Sequence, residues 1–311
     1  MLKSYGEEIL RAQEEILVDD PCAILMGEGI CDEKGVFGTT IGLKAKFPNQ
    51  VIEQPVSEAG ATGAMIGAAI NGLRPILTHQ RMDFSLYSAD QLINNAAKWN
   101  SMFGGLRSVP LTIRMTIGRG WGQGHQHSQN LAPLYASIPG LKVVVPHDPE
   151  SAYRLFKQAH NDPNPVLFIE HKWLYNCRDR VEEERGDEIT LVSYGYMAHE
   201  AKAWAQKVSG VDFIILDWLN PLNMERILKS VEQTRSLVIM EDSWDKGSIG
   251  DHIISTVARA GINLKGPPLK QALPNFYCPS TPALAKYYYP EWIEKKEPDL
   301  DPFTGKLVSI I

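Results

Sequence analysis

Two segments of the chain combine residue types and spacings that are suited to chemistry. In the first, residues 55–63, the carboxylate of Glu58 stands at the start of a predicted helix. Four glycines follow it at Gly60, Gly63, Gly67 and Gly72. Each glycine inside a helix costs roughly 0.5–1 kcal/mol relative to alanine, so helix stability does not explain them. Glu58 is therefore either an acid that complements the helix dipole or a carboxylate presented to a closely approaching ligand.

The second segment is a glycine-rich loop, residues 118–129, that ends in two histidines, His125 and His127. A histidine is a natural proton shuttle near neutral pH, which gives the loop one chemical interpretation. The loop also fits a flexible surface segment with solvated histidines. A metal site is weakly supported, because no third ligand follows the two histidines. A phosphate-binding role is conceivable, although the pattern is neither a Walker loop nor a dinucleotide fingerprint.

The composition is that of an ordinary globular protein with room for two cores. The chain has 311 residues, of which 44% are hydrophobic and 22% charged, with a formal net charge of −6. This charge argues against nucleic-acid and anionic-membrane partners, and no apolar run reaches membrane-spanning length. The chain start has no apolar signal core, and the four cysteines form no CxxC pair. We therefore expect a cytoplasmic protein with reduced thiols and no zinc site.

Strands and helices alternate along the chain, which predicts two α/β domains with mostly parallel sheets flanked by helices. The predicted domains are residues 1–175 and 189–290, joined by a highly charged linker at 176–188 and followed by a tail at 291–311. The predicted helices cover residues 3–18, 58–72, 89–102, 151–159, 199–208, 224–233 and 249–260. The predicted strands cover residues 23–28, 74–77, 109–115, 141–146, 166–170, 189–194, 213–216 and 237–240. Asp148 is the predicted cap of the helix at 151–159. We expect the tail to wrap a surface or a partner.

The pair Gly250-Asp251 superficially matches part of the Gly-Asp-Gly segment with which thiamine diphosphate enzymes hold metal and diphosphate. His252 stands where the second glycine belongs. We therefore interpret Asp251 as part of a solvated helix terminus.

The chain from about residue 3 to about residue 290 resembles the beta subunits of thiamine-diphosphate-dependent 2-oxoacid dehydrogenases, which include pyruvate, branched-chain 2-oxoacid and acetoin dehydrogenases. The similarity is carried by many short segments in the family's order and spacing, so no single motif decides it. These segments lie at 27–28, 35–37, 55–58, 67–75, 83–84, 90–98, 104–105, 127–129, 139–144 and 162–166. The resemblance implies a transketolase-like pyrimidine-binding domain followed by a transketolase C-terminal domain.

The resemblance also implies roles for individual residues. Glu58 falls on the glutamate that hydrogen-bonds the aminopyrimidine ring nitrogen and promotes ionisation of thiamine diphosphate. Phe84 falls on an aromatic residue that packs on the pyrimidine, and Glu28 and Gln80 are further expected cofactor contacts. His127 falls on the histidine that steers protons during acyl transfer to lipoamide. A structural potassium site in some members maps to Leu111, Ala159, His160, Asp162 and Asn164.

The family's diphosphate and magnesium module belongs to a separate alpha subunit. The resemblance therefore implies that this chain holds half of an active site and works in an α2β2 heterotetramer on a 2-oxo substrate. A lipoyl acyltransferase core is a further partner that the resemblance implies. The alpha subunit would hold most of the magnesium ligands. The glycine face of the Glu58 helix would then contact another subunit.

Several positions depart from the family pattern. Arg81 replaces an aromatic residue, with His79 close by, and we expect Arg81 and His125 to be substrate contacts. Arg81 either favours a substrate with extra negative charge or hydroxyls, or simply reaches solvent. The glycine loop carries the bulkier Arg119 and Trp121. Residues 216–223 read Leu-Asp-Trp-Leu-Asn-Pro-Leu-Asn, where the family has arginine and a final aspartate.

These departures keep a second hypothesis open beside the dehydrogenase. The chain could be the C-terminal half of a split transketolase-like enzyme that transfers a ketol or acyl unit to a sugar or aldehyde. A non-catalytic scaffold is the third interpretation, and the joint retention of Glu58, Phe84 and His127 argues against it.

Overall fold

The computed structural model describes residues 2–120, 122–281 and 288, and they cluster into two units. The first unit contains the residues up to 118, Leu134–Arg180 and Asp217–Pro221. The second contains Arg119–Pro133, Val181–Leu216 and the described residues from Leu222 onward. The predicted tail and Trp121 lie outside the described residues.

The first unit is built on a sheet with the strand order β2-β1-β3-β4-β6-β5-β9. All neighbouring pairs are parallel except β5 and β9, which are antiparallel. Its strands are β1 (Ala23–Gly27), β2 (Val51–Glu53), β3 (Arg74–His79), β4 (Thr112–Ile117), β5 (Lys142–Val144), β6 (Val166–His171) and, following the second unit's first strands, β9 (Trp218–Asn220). Its α-helices are α1 (Tyr5–Asp19), α2 (Leu43–Lys46), α3 (Glu58–Ile70), α4 (Ala97–Met102), α5 (Ala132–Ala136, which begins in residues of the second unit) and α6 (Pro149–Asn161). A 3₁₀ helix at Met82–Ser88 and a π-helix at Asp90–Ala96 separate β3 from α4.

The second unit contains a parallel sheet with the order β11-β10-β7-β8. Its strands are β7 (Ile189–Tyr194), β8 (Val211–Leu216), β10 (Leu237–Trp244) and β11 (Leu269–Leu273). Its α-helices are α7 (Met197–Ala205), α8 (Met224–Thr234) and α9 (Ile249–Arg259). The predicted architecture of two mostly parallel α/β sheets flanked by helices is therefore confirmed.

Local sequence signals explain where the principal helices begin. Ser4 and Glu7 form a reciprocal capping box at the start of α1, which satisfies two backbone donors that the helix leaves free. Asp148 caps α6 as predicted, and its carboxylate accepts from the backbone of Ser151 at 2.8 Å. The segment predicted as one helix over residues 89–102 differs, because its first half is the π-helix and only its second half, α4, is α-helical.

A buried ion pair ties β4 to β6 at the centre of the first sheet. Arg114 donates to both carboxylate oxygens of Glu170, at 2.6 and 2.9 Å, and each side chain is 1% exposed. The Arg114 guanidinium also donates to Gln13 at 2.9 Å and to Thr39 at 2.7 Å. The Tyr175 hydroxyl also donates to Glu170, at 3.0 Å. Because each charged group has several hydrogen-bond partners, the cost of burying the pair is offset.

Candidate functional site

Glu58 occupies the first position of α3, where the sequence predicted it. Its side chain is partly exposed, and the preceding Ser57 makes no side-chain cap bond to the helix. The backbone N–H groups at a helix start favour a nearby carboxylate, so the helix dipole suits a glutamate at this position. Ala59, Gly60 and Ala64 are exposed, and a side chain added at Gly67 would meet no atom within 4 Å. The bare helix face that the glycines predicted is thus open to a ligand or a partner.

An aromatic pair lies on the 3₁₀ helix that packs against α3. Phe84, the predicted pyrimidine contact, is partly exposed and stacks on Tyr87, with ring centroids 6.5 Å apart and planes inclined by 18°. Tyr87 itself is 72% exposed. A carboxylate and a flat apolar surface are therefore presented by two elements in direct contact.

Glu28, which follows β1, and Gln80, which follows β3, are joined by a hydrogen bond. The Gln80 amide donates to the backbone carbonyl of Glu28 at 2.9 Å. Glu53 accepts from the backbone N–H groups of Gly29 at 2.5 Å and Cys31 at 2.8 Å, which fixes the same loop. Gly29 has a φ of +69°, and a side chain there would collide with Gln80.

The electrostatic environment of Glu28 connects it to Glu58. Burial raises the pKa of Glu28 above its ordinary value, and the negative charges of Glu58, Glu53 and Asp32 raise it further. An interaction of this kind requires the two carboxylates to lie within a few ångströms to about 10 Å of each other. Glu28 and Glu58 therefore belong to one acidic site at the mouth of α3.

A polar cluster is buried behind the first turn of α3. The Thr62 hydroxyl donates to the backbone carbonyl of Glu58 at 2.7 Å. Its oxygen lies 3.3 Å from Nε2 of His79 and 3.0 Å from the Ser88 hydroxyl oxygen. Burial lowers the pKa of His79 to about 4, so this histidine is neutral at physiological pH. Its other ring nitrogen, Nδ1, is buried and has no hydrogen-bond partner among the described residues.

Arg81 is 6% exposed, so the interpretation that it simply reaches solvent is wrong. Burial lowers its pKa, while the charge of Asp83 opposes this effect. Lys172, which follows β6, also has a lowered pKa because of burial and because of the positive charge on Arg81. The Lys172 ammonium lies 4.1 Å from the centre of the Phe37 ring. The positive charges of Arg81 and Lys172 therefore act on each other within the first unit.

The glycine loop and its histidines belong to the second unit. Arg119 forms a buried ion pair with Asp242 of β10, and Asn130 donates to the Asp242 backbone carbonyl at 2.6 Å. His125 is exposed and stacks on Tyr277, with centroids 5.3 Å apart. His127 is partly exposed at the end of a short 3₁₀ turn. The roles of both histidines stay predictions.

The residues predicted to hold potassium gather around the end of α6 in the first unit. The carbonyls of Leu111 and Ala159 accept from the backbone N–H groups of Val166 and Asp162, at 2.9 and 3.2 Å. Arg74 donates to the carbonyl of His160, and Lys142 donates to the carboxylate of Asp162. The Asn164 backbone N–H also bonds to Asp162, at 2.9 Å. These oxygens already have donors from the chain, so potassium stays a prediction.

The segments around Asp217 and Asp251, which depart from family patterns, are each bonded to other residues of their own unit. Asp217 accepts from Arg154 at 2.8 Å and lies 3.3 Å from a ring nitrogen of His147. Asp251 forms a capping box with Ser248 at the start of α9 and an ion pair with Lys270. The interpretation of Asp251 as part of a helix terminus is correct, although its carboxylate is bonded to the protein and only partly solvated.

Metal-binding clusters and membrane-spanning helices are absent from the described ranges. No group of three or more His, Cys, Asp or Glu residues there is arranged to hold a metal ion. Among the same residues, none of the helices has the length and apolar character that a bilayer crossing requires.

Sequence reasoning predicted Glu58, Glu28, Gln80 and Phe84 as cofactor contacts, which stay predictions, and it did not single out the residues that pack against them. Tyr87 and Thr62 carry no signal of their own, because their partners are recognised only in three dimensions. His79 was noted only as a neighbour of Arg81, and its burial against Thr62 was not predicted.

Comparisons with known proteins identify the family of both domains. Residues 4–178 match the family described as transketolase, pyrimidine binding domain, and residues 179–292 match the transketolase C-terminal domain. The beta subunit of acetoin:2,6-dichlorophenolindophenol oxidoreductase from Cupriavidus necator is 36% identical, over 89% of this chain and 94% of that protein. The mitochondrial pyruvate dehydrogenase E1 component subunit beta from Saccharomyces cerevisiae is 33% identical, over 90% and 86%.

A solved structure supports the fold alone. It is described as a split gene transketolase in an inactive beta4 tetramer, and it superposes with a TM-score of 0.74 at 17% sequence identity. The match covers 92% of this chain and 93% of that chain.

Proposed function

This chain belongs to the transketolase-like family of pyruvate and acetoin dehydrogenase beta subunits, as its sequence resemblance predicted, and on this premise we propose that it is the beta subunit of a thiamine-diphosphate-dependent 2-oxoacid or acetoin dehydrogenase. The enzyme decarboxylates or cleaves its substrate and transfers the acyl unit to lipoamide. The active site is shared with an alpha subunit in an α2β2 heterotetramer in the cytoplasm. The alpha subunit supplies most of the magnesium ligands.

One observation carries this proposal: α3 presents Glu58 at its start and packs against the helix that presents Phe84. The set of groups fits the aminopyrimidine half of the cofactor, because a carboxylate can hold a proton at a ring nitrogen while an aromatic face packs on the ring. When bound, thiamine diphosphate supplies a nucleophilic carbon and an electron sink for cleavage beside a carbonyl.

The chain's own residues have distinct tasks in this proposal. The Glu58 carboxylate orients the ring and holds the proton that it shares with the ring nitrogen. Glu28, with its raised pKa, limits the negative charge beside Glu58. Phe84 excludes water from one ring face, and Gln80 fixes the loop that carries Glu28. His127 is the proposed proton donor and acceptor during acyl transfer.

The transferase alternative loses two of its three motivations. Arg119 is engaged by Asp242, and the altered segment at 216–223 is accounted for by Asp217, which is bound by Arg154. Both departures therefore have structural explanations inside their own units. Arg81 alone still favours an unusual substrate.

The test uses the chain co-expressed with a candidate alpha subunit that contains a Gly-Asp-Gly segment. We expect Glu58→Gln to lower kcat about 10²–10⁴-fold, the range for a lost proton-transfer group, while assembly measured by size-exclusion chromatography is unchanged. Glu33→Gln removes an exposed carboxylate of the same unit and is the matched control. Near-normal turnover of Glu58→Gln would reject the proposed cofactor role.

The acceptor is tested separately. Lipoamide-dependent NADH formation in a reconstituted complex supports the dehydrogenase, whereas carbon–carbon bond formation without lipoamide supports the transferase. Calorimetry on the isolated chain should show weak binding of thiamine diphosphate, and tight binding would contradict a shared site.

A further inference from the structure

The buried cluster behind α3 contains a histidine whose presence does not stabilise the fold. His79 is 2% exposed, and its Nδ1 has no hydrogen-bond partner among the described residues. An unpaired acceptor in a dry interior is destabilising, because it loses its water without replacement. An aromatic residue without nitrogens would fill the position without that penalty. The histidine is therefore best explained by an interaction of its other ring nitrogen, Nε2.

The number of hydrogens available to the Thr62 hydroxyl shows which interaction Nε2 makes. A threonine hydroxyl has one hydrogen, and a backbone carbonyl can only accept. The Thr62 hydrogen is directed to two acceptors, the Glu58 carbonyl at 2.7 Å and the Ser88 hydroxyl oxygen at 3.0 Å. The Thr62 oxygen is left to accept from its neighbours, among them Nε2 of His79 at 3.3 Å. This arrangement requires the neutral histidine form that carries its hydrogen on Nε2.

We propose that His79 is a positioning residue for Glu58, acting through the Thr62 hydroxyl. The Nε2–H of His79 orients Thr62, and Thr62 holds the Glu58 backbone carbonyl one helical turn earlier. The first turn of α3, which Ser57 does not cap, is thereby fixed from behind. The direction of the Glu58 carboxylate follows from the position of that turn. This inference rests on the catalytic role proposed above for Glu58.

Ser88 adds a second anchor for the same hydroxyl, since its oxygen lies 3.0 Å from the Thr62 oxygen. Ser88 is the last residue of the 3₁₀ helix that carries Phe84. The cluster therefore connects the helix that bears the carboxylate to the helix that bears the aromatic face. A change at His79 should alter the relative placement of these two groups and leave the surface of the unit unchanged.

The test compares two amide substitutions that mimic different ring nitrogens. His79→Gln can place an N–H near the position of Nε2, whereas the shorter His79→Asn reaches only the position of Nδ1. Thr62→Val removes the hydroxyl at nearly constant shape, and Thr62→Ser retains it. All four variants are prepared as the complex with the alpha subunit.

Two measurements are made on each complex. Amide hydrogen exchange, followed by mass spectrometry, reports the first turn of α3. Steady-state kinetics report kcat and the KM for substrate separately. In His79→Asn and Thr62→Val we expect exchange at the Ala61 and Thr62 amides, the first that are bonded at the start of α3, to rise about fivefold, the effect of one lost hydrogen bond. We also expect kcat to fall about tenfold with KM changed less than about twofold, because orientation and not binding is lost.

His79→Gln and Thr62→Ser should stay close to the wild type in both measurements. The proposal is overturned if the Asn and Gln variants behave alike, or if Thr62→Val retains wild-type exchange and kcat. If Glu58→Gln also keeps its activity, the proposed function fails, while the exchange data still decide whether His79 fixes this turn.

Discussion

The guanidinium of Arg119 forms a buried ion pair with the carboxylate of Asp242, and each side chain is 4% exposed. Asn130 donates to the backbone carbonyl of the same aspartate at 2.6 Å. Both ends of the glycine and histidine loop are therefore attached to one residue of β10. The loop has a defined anchor within the second unit, which argues against the interpretation as a flexible surface segment.

Replacing Asp242 with Ala should release this loop and destabilise the second unit. The change removes the Asp242 carboxylate from the buried Arg119 charge, and breaking a buried pair in this way costs about 3–5 kcal/mol. We expect a matching fall in the free energy of unfolding in urea. Limited proteolysis should also cut residues 118–130 faster.

Glu14→Ala is the control for this variant, because it removes an exposed ion pair whose partners are 56% and 38% exposed. Pairs of that kind contribute about 0–1 kcal/mol. If both variants lost equally little stability, and the loop stayed resistant to protease, the Arg119–Asp242 pair would not anchor the loop.

Removing one charge of the Arg114–Glu170 pair should lower the free energy of unfolding more than replacing both residues. Glu170→Gln leaves Arg114 charged in the core, and we expect the free energy of unfolding to fall by about 3–5 kcal/mol. The double variant Arg114→Met/Glu170→Leu removes both charges and should lose less stability than Glu170→Gln. Urea denaturation of the two variants checks this order, and the reverse order would contradict it.

Local signals explain which parts of the molecule were predictable. Asp148 and Glu58 were placed correctly because helix starts depend on neighbouring residues along the chain. The attachment of the glycine loop to the second unit was not predictable, because Arg119 and Asp242 are 123 residues apart in sequence. The burial of Arg81 was missed for the same reason, since sequence spacing does not show what covers a side chain.

His79 should make the first unit sensitive to acid. Its folded pKa of about 4 lies below its ordinary value of 6.5, so the unfolded chain takes up a proton that the folded chain excludes. The associated stability is fully present above pH 6.5 and is lost as the pH falls toward 4. Between pH 7 and pH 4.5 we expect wild-type protein to lose about 2–3 kcal/mol more stability than His79→Phe.

Urea unfolding at the two pH values measures this difference. His125→Gln, which removes an exposed histidine, is the control and should lose stability with acid as the wild type does. Equal losses in wild type and His79→Phe would show that His79 is not held neutral in the folded protein.

Removing the charge of Glu58 should lower the pKa of Glu28. The pKa of Glu28 is raised mainly by burial and further by the charges of Glu58, Glu53 and Asp32. The Glu58→Gln variant removes one of these charges and leaves the burial of Glu28 in place. We expect the pKa to move down without returning fully to its ordinary value. Titration by NMR of protein labelled with ¹³C at the glutamate carboxyl carbons measures this shift. Glu33→Gln should leave the Glu28 titration unchanged, and if Glu58→Gln also did so, the two carboxylates would not share one site.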